Sequence, residues 1–180
     1  MKRLILISGD LASGKSSLAD SLSLYLNVPC LKKDDIKEKY CDMYGFKNRE
    51  ENRALSVKAV NYMIEAFENF AKLGQQLILE ANFREEELIK IRDIVAKYNY
   101  DVHFYVLRGD IDVLYQRFLD RLPTRHKAHK SMHLEESKEK FEQYILEQRR
   151  GKTFFIPFII DTTDRSEKEV FELVISGINK

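Results

Sequence analysis

The sequence predicts an α/β fold in which a parallel β-sheet is covered by helices on both faces. Short apolar runs alternate along the chain with longer segments of helical periodicity, which is the pattern of strands joined by crossover helices. Only seven glycines and three prolines interrupt this pattern. With 180 residues, 44% of them hydrophobic, the chain is long enough for one domain with a substantial core over residues 1–180.

The first half of the chain predicts two strands and two helices. The apolar run Leu4–Ile7 ends at a turn and is predicted to be the first strand, followed by a helix over 15–26 in which leucine recurs every fourth residue. Val28–Leu31 is the second short apolar run and the second predicted strand. Apolar side chains at helical spacing predict the longest helix over 48–73, and Gly74 is placed to end it.

The second half continues the alternation. Three further strands are predicted from short apolar runs, at 77–79, 102–107 and 156–160. Four helices are predicted between and after them, at 85–98, 110–122, 134–150 and 166–178. Proline has no N–H for a strand ladder, so Pro157 predicts that the last strand lies at an edge of the sheet or begins there.

Charge and cysteine content exclude several classes of protein. The 30 Lys and Arg residues nearly cancel the 29 Asp and Glu residues, so a globally basic nucleic-acid-binding surface is not expected, although a local patch remains open. Two cysteines cannot build a disulfide framework, which favours a reduced, cytoplasmic setting. No apolar run approaches the roughly 18 residues of a membrane span, so no membrane partner is expected.

Residues 9–16 match the phosphate-binding motif G-x-x-x-x-G-K-[ST], directly after the first strand and at the start of the first helix. Glycines allow the tight turn that points successive main-chain N–H groups at one anion, and the helix adds its positive N-terminal end. The alternative is an ordinary glycine-rich turn with an exposed lysine. The motif predicts a nucleotide-binding site for ATP made of Gly9, Asp10, Leu11, Ala12, Ser13, Gly14, Lys15, Ser16 and Ser17.

Two of these residues have a predicted chemical role. Lys15 supplies a cation for the β- and γ-phosphates, and Ser16 supplies a hydroxyl ligand for Mg²⁺. Glu80 follows the third strand and could hold a water molecule of the Mg²⁺ shell; a solvated side chain is the alternative. Asn82 and Arg84, in the same loop, are predicted to face the phosphoryl acceptor.

Asp34 lies after the second strand, at the edge of the sheet where ligands bind in doubly wound folds. A carboxylate there could accept the proton of an attacking hydroxyl, while Lys37 steadies the acceptor or the transferring group. The alternative is structural, because Asp34 or Asp35 could simply cap the following helix.

A basic segment follows the predicted helix 110–122. Arg117 and Arg121 are four residues apart and Arg125 follows Pro123, so the three arginines could converge to neutralise charge on a migrating phosphoryl group. A solvated helix face is the alternative.

Three histidines, at positions 126, 129 and 133, continue this basic segment. A zinc or nickel site is conceivable, but no cysteine joins them. Together with Lys127 and Lys130 they more readily form a basic lid over phosphates at about 121–133, or a local patch for a nucleic-acid end.

These segments resemble the family of small P-loop kinases that includes AAA/zeta-toxin-like kinases, chloramphenicol phosphotransferases and polynucleotide 5′-kinase domains. The resemblance covers nearly the whole chain in order. It rests on residues 9–16, on Asp34-x-Ile36-Lys37 as D-x-φ-[RK], on Glu80-Ala81-Asn82, on Arg121 with Arg125, and on Ile159-Ile160-Asp161-Thr162.

The resemblance implies a three-layer P-loop NTPase fold whose five-stranded parallel sheet has the order 2-3-1-4-5. It also implies ATP with Mg²⁺ and transfer of the γ-phosphoryl to a hydroxyl. By position, Asp34 resembles the catalytic base of the family, Arg121 and Arg125 resemble lid arginines, and the loop after Thr162 resembles the adenine-contacting segment.

The resulting hypothesis is an ATP-dependent phosphotransferase in which Lys15, Asp34, Arg121 and Arg125 are catalytic. The acceptor stays open between a small molecule, a nucleic-acid 5′ end and a nucleotide sugar modified by a toxin-type kinase. A nucleotide-dependent regulatory ATPase or binding module is an alternative from another class. Asp34 and the lid arginines favour the kinase, because a switch needs no acceptor pocket.

Overall fold

The computed structural model describes residues 2–130 and 133–178, and five strands in it form one parallel sheet. They are β1 (Arg3–Gly9), β2 (Cys30–Lys32), β3 (Leu77–Glu80), β4 (Asp101–Arg108) and β5 (Phe158–Asp161). Their order is β2-β3-β1-β4-β5, so the order implied by the family resemblance is confirmed. Among the described strands, β5 pairs only with β4, and it begins directly after Pro157, which confirms the predicted edge position.

In the described part of the chain, seven α-helices connect and flank the strands. They are α1 (Lys15–Leu26), α2 (Lys33–Tyr44), α3 (Arg49–Lys72), α4 (Glu85–Tyr98), α5 (Ile111–Arg121), α6 (Lys138–Arg149) and α7 (Glu167–Ile178). Single 3₁₀ turns occur at Leu122–Thr124, Lys127–His129 and Leu134–Glu136. Within the described ranges, no helix has both the length and the apolar character that a membrane crossing requires.

The helices cover the sheet on two sides. Leu4 and Leu6 of β1 point to the face packed against α3 and α4, while Ile5 and Ile7 point to the face packed against α1 and α7. This alternation follows from the two-residue period of a strand, and burial of both faces explains why β1 is an uninterrupted apolar run. The predicted three-layer architecture is therefore confirmed.

Element boundaries differ from the predictions in two informative places. The predicted helix 134–150 divides into the turn Leu134–Glu136 and α6, because the Ser137 hydroxyl accepts a hydrogen bond from the main-chain N–H of Lys140 and starts a new helix. β2 begins at Cys30 rather than at Val28, and it runs into α2 without a loop. The lid segment, residues 122–130, lies between α5 and α6; positions 131 and 132 of the predicted lid are outside the described residues.

Candidate active site

The loop between β1 and α1 encloses a small cavity at the carboxyl edge of the sheet. Gly9 comes so close to β4 that a Cβ atom there would lie 2.0 Å from the carbonyl oxygen of Leu107. The next residue closes the turn, because the N–H of Asp10 donates to that same oxygen at 2.8 Å. Gly14 has a φ of +89°, which side chains other than hydrogen rarely allow. Gly9 and Gly14 therefore permit the close approach and the positive φ that this loop conformation requires.

This phosphate cavity has a volume of about 190 Å³ and is lined by residues 11–17 together with Asp34, Glu80, Phe118, Arg121, Thr124, Arg125 and His129. Seven of the nine predicted loop residues, 11–17, therefore form its wall. Gly9 instead packs against Leu107 of β4, and the Asp10 carboxylate contacts Arg149 and does not line the cavity. The main chain of Asp10 still shapes the loop, because its carbonyl oxygen accepts hydrogen bonds from the Ser13 hydroxyl and from Lys15 Nζ.

Lys15 is a partly buried cation in the wall of the phosphate cavity. Its Nζ lies 2.6 Å from the carbonyl oxygen of Asp10. Burial lowers the pKa of Lys15, while the nearby carboxylates of Glu80 and Asp34 act in the opposite direction. A bound polyphosphate would stabilise the charged form of this ammonium group.

Ser16 and Glu80 present oxygen atoms side by side where α1 begins. The Ser16 hydroxyl donates to Glu80 Oε2 at 3.3 Å, and Glu80 is only 5% exposed. Burial raises the pKa of Glu80, although Lys15 opposes this, and a divalent cation would favour its ionised form. Hydroxyl and carboxylate oxygens are the donors that Mg²⁺ prefers, so these two residues fit the predicted ion.

Asp34 lies in the first turn of α2, on the wall of the phosphate cavity. The N-cap position is Lys32, so neither Asp34 nor Asp35 caps α2, and the structural alternative is wrong. Asp34 pairs with Lys33 at 3.0 Å, and 47% of its side chain remains open. Burial by itself would raise the pKa of Asp34, but the charges of Lys33, His129 and Lys15 outweigh it and hold that pKa below its ordinary value.

Of the three arginines predicted to converge, the structure brings two to the same cavity. Arg121 and Arg125 line the phosphate cavity, where the Arg125 guanidinium lies over the Phe118 ring at 5.0 Å from its centre. Arg117 does not reach this cavity, because it lies one turn earlier on α5, beside the end of β5. Its Nη2 donates to the carbonyl oxygens of Thr162 and Thr163, each at 3.0 Å.

Thr162 is buried at the same place, and its hydroxyl donates to the carbonyl oxygen of Arg108 at 3.0 Å. Its side chain is therefore not on the wall of the phosphate cavity, and a nucleotide-contacting role for it stays a prediction.

The histidines of the lid segment each face a different carboxylate. His126 Nε2 lies 3.2 Å from Asp42 Oδ1, and His129 Nε2 lies 2.9 Å from Glu38 Oε1. His133, beyond the lid segment, lies near Glu135 and Glu136. Among the described residues, no group of three or more His, Cys, Asp or Glu side chains is arranged to hold a metal ion.

Lys37 holds the lid segment against α2. Its Nζ donates to the carbonyl oxygen of Ala128 at 2.8 Å, and Asn52 Nδ2 on α3 donates to the same oxygen at 2.9 Å. Lys37 also lines the second cavity, and this hydrogen bond uses one of its three ammonium donors, so its predicted contact with an acceptor stays a prediction. Burial, together with the charge of Lys33, lowers the pKa of Lys37 to about 8.

A second cavity of about 720 Å³ adjoins the phosphate cavity. Its walls come from α2, α3, the loop after β3, the lid segment and α6. Asn82 and Arg84, which the sequence placed on the acceptor side, line this second cavity. Asp34, Leu11, Arg125 and His129 line both cavities, so these four residues mark the boundary between them.

The family model described as AAA domain matches residues 5–151. The chain belongs to this family. This family match and the sheet order β2-β3-β1-β4-β5 confirm the predicted resemblance to small P-loop kinases. A comparison with curated proteins gave no match.

Solved structures with the same fold include several kinases. The AAA domain protein is 25% identical to a "putative kinase" from Chloroflexus aurantiacus, with a TM-score of 0.81 and 97% of each chain covered. A gluconokinase from Sinorhizobium meliloti is 16% identical, with a TM-score of 0.65 and coverage of 99% of this chain and 92% of that one. The APS kinase of Mycobacterium tuberculosis, in complex with AMPPNP and APS, is 17% identical, with a TM-score of 0.61 and coverage of 99% and 98%.

One residue that supports the site of this AAA domain protein was missed by sequence reasoning. Arg149, near the end of α6, forms an ion pair with the buried carboxylate of Asp10 in the phosphate loop. The two residues are 139 positions apart, so no local pattern connects them. One feature of the sequence indicated that such a partner exists. Asp10 is an acidic residue at a variable position of a motif that binds anions, and without a partner its carboxylate would repel phosphate.

Proposed function

We propose that this AAA domain protein is an ATP-dependent phosphotransferase that moves the γ-phosphoryl group of ATP to a hydroxyl of a small-molecule or nucleotide-type acceptor. One observation carries the proposal: Asp34 stands on the boundary between the phosphate cavity and the larger second cavity. A group at that place can touch a terminal phosphate on one side and an alcohol on the other, which a hydrolytic switch does not require.

The roles of the remaining residues follow from their places. The main-chain N–H groups of the phosphate loop and the Lys15 ammonium would bind the β- and γ-phosphates. Arg121 and Arg125 would neutralise the charge that spreads over the phosphoryl oxygens during transfer. Ser16 and Glu80 would hold Mg²⁺, which would supply positive charge to offset that of the phosphates.

Asp34 would orient the acceptor hydroxyl and take its proton. As the hydroxyl oxygen forms its bond to the γ-phosphorus, the bond from that phosphorus to the β-phosphate oxygen breaks, and the proton passes to a carboxylate oxygen of Asp34. Lys15 helps to hold the pKa of Asp34 low in the absence of phosphate. Phosphates that compensate the Lys15 charge would make Asp34 a stronger base when the nucleotide is in place.

A label-transfer assay tests the proposal. Purified protein is incubated with Mg²⁺, γ-labelled ATP and a small-molecule extract of cells, and the labelled products are separated and identified by mass spectrometry. We expect label on a compound with a phosphorylated hydroxyl, and loss of that product in Lys15→Ala. Lys39→Ala is the matched control, because Lys39 is exposed on α2 and lines neither cavity.

The products also separate the alternatives. Label that appears only as inorganic phosphate would contradict the proposal and indicate a regulatory ATPase. Label on the 5′ end of an added oligonucleotide would indicate a polynucleotide kinase, and label on a nucleotide sugar would indicate a toxin-type kinase.

A further inference from the structure

The second cavity is rich in positive charge. Its lining contains the acidic side chains of Asp34, Glu50, Glu87 and Glu147. It also contains six basic side chains, those of Lys33, Lys37, Arg49, Arg53, Arg84 and Arg125. An excess of basic groups in a concave site raises the local concentration of anions, whatever the net charge of the whole chain.

Three of these six basic side chains already have a partner or a proposed role. Lys33 pairs with Asp34 at 3.0 Å, and Lys37 donates to the lid carbonyl of Ala128. Arg125 also lines the phosphate cavity, where it serves the nucleotide in the proposed reaction. Arg49, Arg53 and Arg84 remain, and the nucleotide-binding role does not account for them.

Arg49 and Arg53 lie in the first two turns of α3. They are four residues apart and therefore lie on one face of the helix, the face that lines the second cavity. Both are exposed, and within the described part of the chain neither forms an ion pair with a carboxylate. Two guanidinium groups without carboxylate partners in one cavity are suited to bind a carboxylate, phosphate or sulfate.

Arg84 and Asn82 approach the cavity from the loop after β3. Over residues 2–130 and 133–178, the Arg84 guanidinium forms its one ion pair at 4.0 Å, with Glu86, and about half of its side chain is exposed. The Oδ1 atom of Asn82 is enclosed, and it has no hydrogen-bond partner among the described residues. An enclosed amide oxygen without a partner is costly, so a donor such as a ligand hydroxyl would be favourable there.

We propose that the acceptor carries an anionic group in addition to the hydroxyl that is phosphorylated. Arg49, Arg53 and Arg84 bind this carboxylate, phosphate or sulfate, Asn82 accepts a hydrogen bond from the same molecule, and its hydroxyl is then presented to Asp34. This inference rests on the proposed phosphotransferase activity. The volume of about 720 Å³ is within the range of small-molecule sites and suits a single small acceptor.

Fractionation of the extract tests the anionic acceptor. The small-molecule extract is passed over an anion exchanger, and the retained and unretained fractions are offered separately with Mg²⁺ and γ-labelled ATP. A 5′-hydroxyl oligonucleotide is offered in a third reaction. We expect a labelled product from the retained fraction alone.

Each other outcome has a definite meaning. Transfer to a compound of the unretained fraction alone overturns the anionic acceptor and leaves the phosphotransferase intact. Transfer to the oligonucleotide alone overturns a small-molecule acceptor. Label only in inorganic phosphate, or in no product, overturns the phosphotransferase itself, and the anionic acceptor with it.

Once the acceptor has been purified from the retained fraction, variants test whether its anionic group binds to these arginines. Arg49→Gln and Arg53→Gln should each raise KM for the purified acceptor by about tenfold or more, with kcat within about threefold of the wild type, because a charge-assisted hydrogen bond to the acceptor is lost. KM for ATP should not change. Lys72→Gln, which removes a positive charge from the other end of α3, is the matched control and should leave KM for the acceptor unchanged. Unchanged acceptor KM in both arginine variants would overturn their role.

Discussion

Arg149 holds the carboxylate of Asp10 through two contacts, with Nη2 at 2.6 Å from Oδ2 and Nε at 3.1 Å from Oδ1. The same Nη2 donates to the carbonyl oxygen of Gly109 at 2.7 Å. Only 2% of Asp10 is exposed, so this carboxylate depends on its partner for compensation. The last turn of α6 is thereby fastened to the phosphate loop and to the end of β4.

Removal of this guanidinium should destabilise the protein. Arg149→Gln leaves a buried carboxylate without its ionic partner, and we expect a loss of about 3 kcal/mol in the free energy of unfolding, measured by urea denaturation. Arg150→Gln is the matched control, because Arg150 is exposed on the next position and the change should cost less than about 0.5 kcal/mol. Equal stability of the two variants would show that the ion pair contributes little.

The close approach of β1 and β4 gives a second prediction. Gly9→Ala would place a methyl group 2.0 Å from the carbonyl oxygen of Leu107, at a φ of +133°, so the two strands must move apart or the protein cannot fold. We expect a loss of more than about 3 kcal/mol, or no soluble folded protein. Gly151→Ala is the comparison, since the nearest atom would lie at an ordinary 3.4 Å. A Gly9→Ala variant with wild-type stability would contradict the described path of the chain.

Local sequence patterns were sufficient to predict most of the fold. β1 is apolar on every position from Leu4 to Ile7 because both of its faces are buried, and α3 has apolar side chains at helical spacing because it packs on one of those faces. The phosphate loop was predictable because its chemistry requires particular residues at fixed spacing. The position of Asp34 on the cavity wall was predictable because it follows β2, and ligands bind at the carboxyl ends of the strands in a parallel sheet.

Long-range pairings were not predictable in the same way. Nothing near Arg149 in the sequence indicates Asp10, and nothing near Arg117 indicates the carbonyl groups of Thr162 and Thr163. Lys37 matches the last position of D-x-φ-[RK], but its hydrogen bond to a lid carbonyl depends on how residues 122–130 fold back. Each of these contacts is set by packing between distant elements, and a single sequence does not display such packing.

The buried ammonium of Lys37 gives a pH-dependent prediction. Burial lowers its pKa to about 8 in the folded protein, against about 10.4 in an unfolded chain. Below about pH 8 the lysine is charged in both states, so its contribution to stability does not change with pH. Between about pH 8 and pH 10.4 the unfolded state binds more protons, so the free energy of unfolding should rise by about 2–3 kcal/mol on account of this group.

Variants isolate that contribution. The free energy of unfolding of Lys37→Met, measured between pH 7 and pH 10.5, should lack this rise relative to the wild type. Lys39→Met, on an exposed position of the same helix, should retain it. Parallel stability profiles for the wild type and Lys37→Met would show that Lys37 titrates as an ordinary surface lysine.

Asp34 and Asp35 are adjacent carboxylates with different surroundings, and this difference gives a matched test of the proposed base. Asp34 lies between the two cavities, whereas Asp35 pairs with Lys32 at 3.1 Å and lines neither cavity. Asp34→Asn should reduce kcat for label transfer by about a hundredfold or more, because the amide cannot take the hydroxyl proton, with ATP affinity within about threefold of the wild type. Asp35→Asn should keep kcat within about twofold. If the two variants lose activity equally, or if Asp34→Asn retains wild-type turnover, Asp34 is not the base, and the proton of the acceptor must leave by another route.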